Sequence, residues 1–309
     1  MLSATESILL SVVISESIFG ILGNGFIGAV NCIECVRSKK VSVINSIFIG
    51  LAISRICLIW TIITDGCIQL FSPRLYLTGS LVEYTTYSWV LSNHTCTWFT
   101  TSLTIFYFLR ITNFSHPIFL WLKIKIHWIF SLLMGFLLIS LLFSFPRFVT
   151  IISNQKMKDT NRTGLLTVKT DEYISMQVLL NLGTMIPFVI TLIVCFLVIV
   201  SLWRHKKQMR LHFSGCRDLN TEAHVKAVKV LVSFIILFVL HFIGIVIEAA
   251  CYAVAENKML LIFGLQATIT YPWGHSFILI LANRKLKQTA LRILRQLKVW
   301  EKRENCRTT

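Results

Sequence analysis

Seven long apolar stretches recur along this chain, separated by shorter polar or basic segments. They run from Ile8 to Asn31, Ile44 to Phe71, Tyr84 to Arg110, Ile126 to Phe145, Val178 to Trp203, Ala227 to Cys251 and Leu260 to Ala282. A helix needs about 20 mostly apolar residues to cross a bilayer's hydrocarbon, and each stretch has that length. Barrel strands are shorter and alternate in polarity, so the pattern predicts helices. The third stretch is the most polar, with Thr and Ser throughout and Asn93 and His94 inside it. That suits a helix surrounded by other helices rather than by lipid. Beyond the last stretch, Leu286, Ala290, Ile293, Leu294, Leu297 and Trp300 share one helical face, with Lys and Arg opposite. This predicts an amphipathic helix in the inner headgroup layer, with a basic tail off the membrane as the alternative. The expected architecture is an all-α membrane protein: one seven-helix transmembrane domain over residues 1–282 and a cytoplasmic basic tail over 283–309.

Charge sets the expected orientation. With the N-terminus outside, the cytoplasmic segments are Cys32–Val43, Arg110–Lys125, Arg204–Lys229 and Asn283–Thr309, and they hold twenty-two of the thirty Lys and Arg. Seven lie in external segments, and Arg55 lies inside the second span. Positive charge collects on the cytoplasmic side of membrane proteins, which places the N-terminus outside and the C-terminus inside. The sequon Asn161-Arg-Thr163 then falls in the second external loop, open to N-glycosylation. The sequons at Asn93 and Asn113 fall in a span and on the cytoplasmic side.

Composition removes other classes. Apolar residues make up 55% of the chain, charged residues only 14%, and mean hydropathy is +0.72. A soluble domain usually carries about 25% charged residues. The net charge of +16 is spread over short inter-span strips, unlike the single basic face of a nucleic-acid binder, so no nucleic-acid partner is expected. The nine cysteines lie mostly in apolar runs and show no zinc spacing, so no metal and no cofactor are expected. The loop from Arg147 to Ser175 has no cysteine and cannot be pinned by a disulfide. No HExxH, GxSxG or paired carboxylates point to an enzyme, and no internal repeat points to a transporter.

Ionisable groups within spans are costly and usually face the bundle interior. Arg55 needs acceptors at its depth, and Asn24 with His275 or Ser276 are the candidates; the set reads equally as a polar switch or as a static brace. Glu16 could reach the second or seventh span. Asp65 and Glu248 lie toward external span ends. His241 and Glu248 are seven apart and Trp89 and Asn93 four apart, so each pair shares a helix face. Facing inward, an aromatic wall, an amide and a carboxylate would converge on a small-molecule cavity open to the outside. Each also has a plainer reading: Trp89 as an interfacial anchor, Asn93 as interhelical glue, Glu248 as a group at the water boundary. Pro187 and Pro272 interrupt helical bonding in the fifth and seventh spans.

The chain resembles the mammalian type 2, or bitter, taste receptors. The resemblance rests on Gly23-Asn-Gly-Phe-Ile27 with Val30-Asn-Cys32, Leu51-Ala-Ile-Ser-Arg-Ile-Cys-Leu58, Ile105-Phe-Tyr-Phe-Leu-Arg-Ile111 and His116-Pro-Ile-Phe-Leu-Trp-Leu-Lys123. It continues through Ser201-Leu-Trp-Arg-His205, Gly215-Cys-Arg-Asp218, Thr221-Glu-Ala-His224, His275-Ser-Phe-Ile-Leu-Ile280 and Asn283-Arg-Lys-Leu-Lys287. The Asp-Arg-Tyr and Asn-Pro-x-x-Tyr signatures of rhodopsin-like receptors are absent; Phe106-Tyr-Phe-Leu-Arg110 and His275-Ser276 stand in their places.

The resemblance implies a plasma-membrane G-protein-coupled receptor that binds small bitter compounds and activates gustducin or a related inhibitory-type heterotrimeric G protein. Another small-molecule chemosensory receptor and a transporter are the alternatives, and membrane lipids and a homo- or hetero-oligomer are further partners. It places Trp89 and Asn93 on the family's ligand site. His241 stands where relatives often carry a Tyr, and Leu265, with Gln266 beside it, where some carry a Glu. These departures weaken recognition of cationic agonists through the seventh span and leave Glu248 to supply the charge. Tyr107, Arg110, His205 and His224 are the expected G-protein-facing residues.

Overall fold

The computed structural model describes residues 3–72, 80–112, 117–160, 183–201, 203–204, 219–253 and 258–308. Among them there is no strand. The helices are α1 (Ala4–Ser38), α2 (Val43–Phe71), α3 (Ser80–Ile111), the short α4 (Pro117–Ile124), α5 (Ile126–Thr160), α6 (Gly183–Ser201), α7 (Leu219–Ala253), α8 (Lys258–Ala282) and α9 (Arg284–Thr308). Helix α1 opens with a reciprocal cap. The Glu6 amide donates to Ser3 Oγ (3.2 Å) and the Ser3 amide to Glu6 Oε2 (2.7 Å), satisfying two donors that a helix start leaves free. It closes on Lys39 at φ 51°, and Ser42 caps α2, so four residues turn the chain. Part of the loop expected to begin at Arg147 is helical instead. Helix α5 runs on to Thr160, past the apolar Phe148-Val-Thr-Ile-Ile152 run and through the mostly polar residues 153–160.

Helices α1, α2 and α3 pack in succession, α5 leans on α3, and the α7–α8 pair closes back through α8 onto α1 and α2. The exposed surface is apolar: Trp128, Leu142 and Phe143 of α5 and Ile186, Ile193 and Phe196 of α6 all point outward. The interior holds the polar groups, and α3 alone buries Ser92, Asn93, His94, Thr97, Thr100, Thr101, Ser102 and Thr104. Lipid solvates the apolar side chains, so the polar ones turn inward to find partners. The most polar apolar stretch is therefore the central helix.

Close approach brings α7 against α8. A Cβ on Gly244 would lie 2.7 Å from the Thr268 backbone nitrogen, a contact only glycine allows. Two prolines then set the bonding between helices. Proline has no N–H, so Pro187 leaves the Gly183 carbonyl and Pro272 the Thr268 carbonyl without a donor from their own helix. Each is met from a neighbouring helix: Ser140 Oγ of α5 donates to Gly183 O (3.3 Å), and His241 Nδ1 of α7 lies 3.1 Å from Thr268 O. The Asn283 side chain accepts from the Lys285 and Leu286 amides (3.0 and 3.4 Å), capping the start of α9 just after α8 ends. Leu286, 1% exposed, docks against the bundle, and Lys285 pairs with Glu34 of α1 at 3.1 Å. Ile293, Leu294 and Leu297 stand exposed along α9.

Candidate functional site

Thr268 of α8 is the junction of the candidate site. Its carbonyl meets His241, and its hydroxyl donates to Glu248 Oε1 (2.7 Å), so one residue holds both polar groups of the α7 face. Glu248 Cγ lies 2.9 Å from where a Cβ of Gly264 would stand, so this carboxylate too sits in the α7–α8 seam.

The proton positions follow from the acceptors. A carbonyl only accepts, so a His241 proton sits on Nδ1, and a ring buried with no carboxylate bonded to it is neutral and offers a lone pair at Nε2. Nε2 lies 3.3 Å from Asn93 Oδ1, while the buried Asn93 Nδ2 has no partner. Two acceptors do not bond, and the two ends of an amide are nearly identical in shape, so the hydrogen bonds assign them. Turned by half a revolution, the amide donates Nδ2–H to His241 Nε2 and leaves Oδ1 as the free group. Asn93 of α3, His241 of α7 and Thr268 of α8 then form one polar chain across three helices. Trp89, one turn before Asn93, is half-buried against the main apolar core. The Phe188, Phe238 and Phe242 rings pack beside the chain, with centroids 4.4–5.4 Å apart, and the His241 ring stands 5.2 Å from that of Tyr271.

The other residues expected at the pocket are turned elsewhere. Leu265 is buried against α2, its Cδ1 2.5 Å from where a Cβ of Gly66 would lie. Gln266 shares a face with Thr270, which donates to Glu16 of α1 (3.4 Å), so Glu16 meets the last span. Gln266 Oε1 is buried without a partner. Asp65 accepts from Gln69 (2.7 Å) and from Thr85 of α3 (3.1 Å).

Deeper in the bundle the expected four-residue set divides in two. Arg55 Nη2 donates to Tyr271 Oη (3.1 Å) and to His275 Nδ1, and Tyr271 bonds Thr100 Oγ1 of α3 (2.7 Å). Asn24 is not a partner of Arg55, which corrects the sequence expectation. Its Nδ2 donates to the Gly20 and Pro272 carbonyls (2.8 and 3.2 Å), and its Oδ1 accepts from Ser276 (2.7 Å). The division follows from the Pro272 carbonyl, which faces α1 and takes the Asn24 amide.

Of the residues expected to face the G protein, Tyr107 is half-buried on the core and Arg110 is exposed, both on the last turns of α3. His205 and Asn161 lie outside the described residues, as does the His224 side chain on α7. The sequence reading passed over Thr268, Tyr271 and Thr100. The signal for Thr268 was present, since it lies four residues before a proline within a span.

Residues 1–298 match the family model described as Taste receptor protein (TAS2R). The chain is 58% identical to taste receptor type 2 member 10 of Papio hamadryas and 56% identical to that of Homo sapiens, each over 309 residues covering both chains in full. It is 51% identical over the same length to taste receptor type 2 member 114 of Rattus norvegicus.

Proposed function

The chain belongs to the TAS2R taste receptor family, and on that premise we propose that it binds small bitter compounds in a pocket facing outward and activates a heterotrimeric G protein, gustducin or an inhibitory-type relative. It is a multi-pass membrane protein of the bitter taste receptor class, a receptor rather than an enzyme. The observation that carries the reading is the Asn93–His241–Thr268–Glu248 chain, which couples three helices through polar groups in the bundle interior. With His241 taking the Asn93 NH2 group, the amide carbonyl and the Glu248 carboxyl are the acceptors left for a ligand. The compounds favoured are therefore those that carry an N–H or O–H donor beside an apolar body, with Trp89 as the apolar wall. Leu265 and Gln266 act at one remove, through the seating of α8 on α2 and α1.

A ligand shifts such a bundle only by binding one arrangement more tightly than the other. Outward movement of the cytoplasmic end of α7 then opens a cleft lined by Tyr107, Arg110, His205 and residues 221–229, His224 among them, and the C-terminal helix of the G protein enters there. The Arg55–His275 and Asn24–Ser276 pairs repack as that movement proceeds. The N-terminus and the sequon at Asn161 face outward. The tail from residue 283 faces the cytoplasm, its apolar face in the inner leaflet.

The test is a panel of bitter compounds applied to cells that express the receptor and report calcium release, with uptake of the same compounds measured in parallel. Calcium responses without uptake are expected. Uptake without G-protein activation, from a receptor present at the surface, would end the proposal. Epitope tags on the two termini, read with and without permeabilisation, should be accessible from opposite sides.

A further inference from the structure

Arg55 has no exposed surface, and it sits at the centre of the α2–α3–α8 packing. Nη2 uses its two hydrogens on Tyr271 and His275, while Nε and Nη1 are buried without a partner. Its described neighbours are neutral groups: the Tyr271 hydroxyl, the His275 ring and the buried Cys96 thiol of α3, which lies against the guanidinium. The Tyr271 hydroxyl oxygen accepts from Arg55 and shares a second hydrogen bond with Thr100 Oγ1, and His275 offers a ring lone pair. The Tyr271 ring, 5.1 Å from the guanidinium carbon, supplies a π face. Among the described residues no carboxylate bonds or pairs with this group, and the described ion pair, Lys285–Glu34, lies half-exposed where α9 meets α1. A guanidinium stays protonated in proteins, so it cannot escape burial by neutralising itself. Water could take the unpartnered N–H groups but would leave the charge uncompensated in the low-dielectric interior. It is the charge that makes an unpaired buried ion costly.

We infer that Arg55 holds a monatomic anion, chloride under physiological conditions, bound by Nε–H or Nη1–H between α2, α3 and α8. An anion enclosed with a side chain of zero exposure has to be close to water in size, which selects a halide over a carboxylate or phosphate. The anion would neutralise a cation of zero exposure within the bundle and fix the orientation of Arg55 against Tyr271 and His275.

The purified full-length receptor in nanodiscs tests this. Gluconate at about 0.15 M, the physiological ionic strength, is exchanged stepwise for chloride while the thermal midpoint is followed. A ligand that binds only the folded state raises the midpoint in a saturable way. A hyperbolic rise of about 2 °C or more is expected for the wild type and none for Arg55→Gln. A flat series in the wild type overturns the inference, because hydrated donors would give that result. An equal rise in Arg55→Gln overturns it too, since chloride would then act elsewhere, for instance at the basic tail. If Arg55→Gln does not fold, wild-type crystals grown in bromide decide. An anomalous peak in contact with Nε or Nη1 supports the site, and its absence removes it.

Discussion

His241→Phe, measured with and without Pro272→Ala, isolates the central interaction of the candidate site. Phe keeps an aromatic ring beside Tyr271 and Phe242, whose centroids stand 5.2 and 5.9 Å from that of His241. It removes both ring nitrogens. The Thr268 carbonyl loses its donor, and the Asn93 NH2 group loses its acceptor. Each buried group left unsatisfied costs about 1–3 kcal/mol, so the single substitution should cost about 2–6 kcal/mol. At roughly 2 °C per kcal/mol for a chain of this size, the thermal midpoint of the purified receptor should fall by roughly 4–12 °C.

Pro272→Ala changes the arithmetic. Residue 272 regains an N–H, which donates to the Thr268 carbonyl within α8. His241 is then needed only by Asn93. In that background His241→Phe should cost less by about 1–3 kcal/mol, seen as a drop smaller by roughly 2–6 °C. The cycle subtracts any effect of Pro272→Ala on the kink itself. If the two substitutions add to within about 0.5 kcal/mol, as independent sites do, His241 is not the donor that replaces the missing proline N–H.

Three further outcomes follow from the same geometry. Glu248→Gln keeps an acceptor for the Thr268 hydroxyl and removes the carboxylate, so the potency of a basic agonist should fall at least about tenfold, roughly 1.4 kcal/mol, in a calcium titration; unchanged potency would end the charge reading. Arg110→Ala and His205→Ala should each reduce agonist-stimulated signalling while surface labelling persists, and normal signalling from both would refute the assigned cleft. Gly244→Ala forces a methyl against the Thr268 backbone nitrogen and should cost about 1–3 kcal/mol in thermal stability, with lower surface expression. Gly25→Ala meets nothing within 4 Å and should be neutral or slightly stabilising, so equal losses at the two positions would refute the packing argument.

Much of the architecture was legible because the bilayer imposes it. A helix must satisfy its backbone internally across the hydrocarbon, so long apolar runs have one available reading. The central place of α3 was legible for a related reason. A run as rich in Thr, Ser, Asn and His as Ser92–Thr104 cannot face lipid, and its buried hydroxyls donate to carbonyls one turn back or to the Pro187 carbonyl, while Thr100 shares a hydrogen bond with Tyr271. The end of α5 was missed because hydropathy falls before helical bonding does. Which polar groups pair was not legible, since pairing between spans depends on rotation and depth that periodicity within one span does not record. Asn24 and Arg55 illustrate this: both face the interior at comparable depth, yet one bonds Ser276 and the other Tyr271 and His275.

The prolines carry information that a kink-only reading discards. Pro187 and Pro272 each free a carbonyl four residues earlier, and in a bilayer interior that carbonyl has to find a donor on another helix. Ser140 meets the first and His241 the second. The proline carbonyls are claimed as well, Pro187 by Thr101 and Thr191 and Pro272 by Asn24 and Ser276. A proline within a span therefore leaves one carbonyl, four residues back, that requires a donor on a neighbouring helix at matching depth, and in this chain the proline's own carbonyl also accepts from a neighbouring helix. In this chain those donors include His241, Asn24 and Thr101, and His241 is also the residue that joins α7 to the Asn93 amide. The proline that weakens α8 as a helix is thus the one that ties it to α1 and α7. Any movement of α7 on activation has to break or carry with it the bond that Pro272 made necessary.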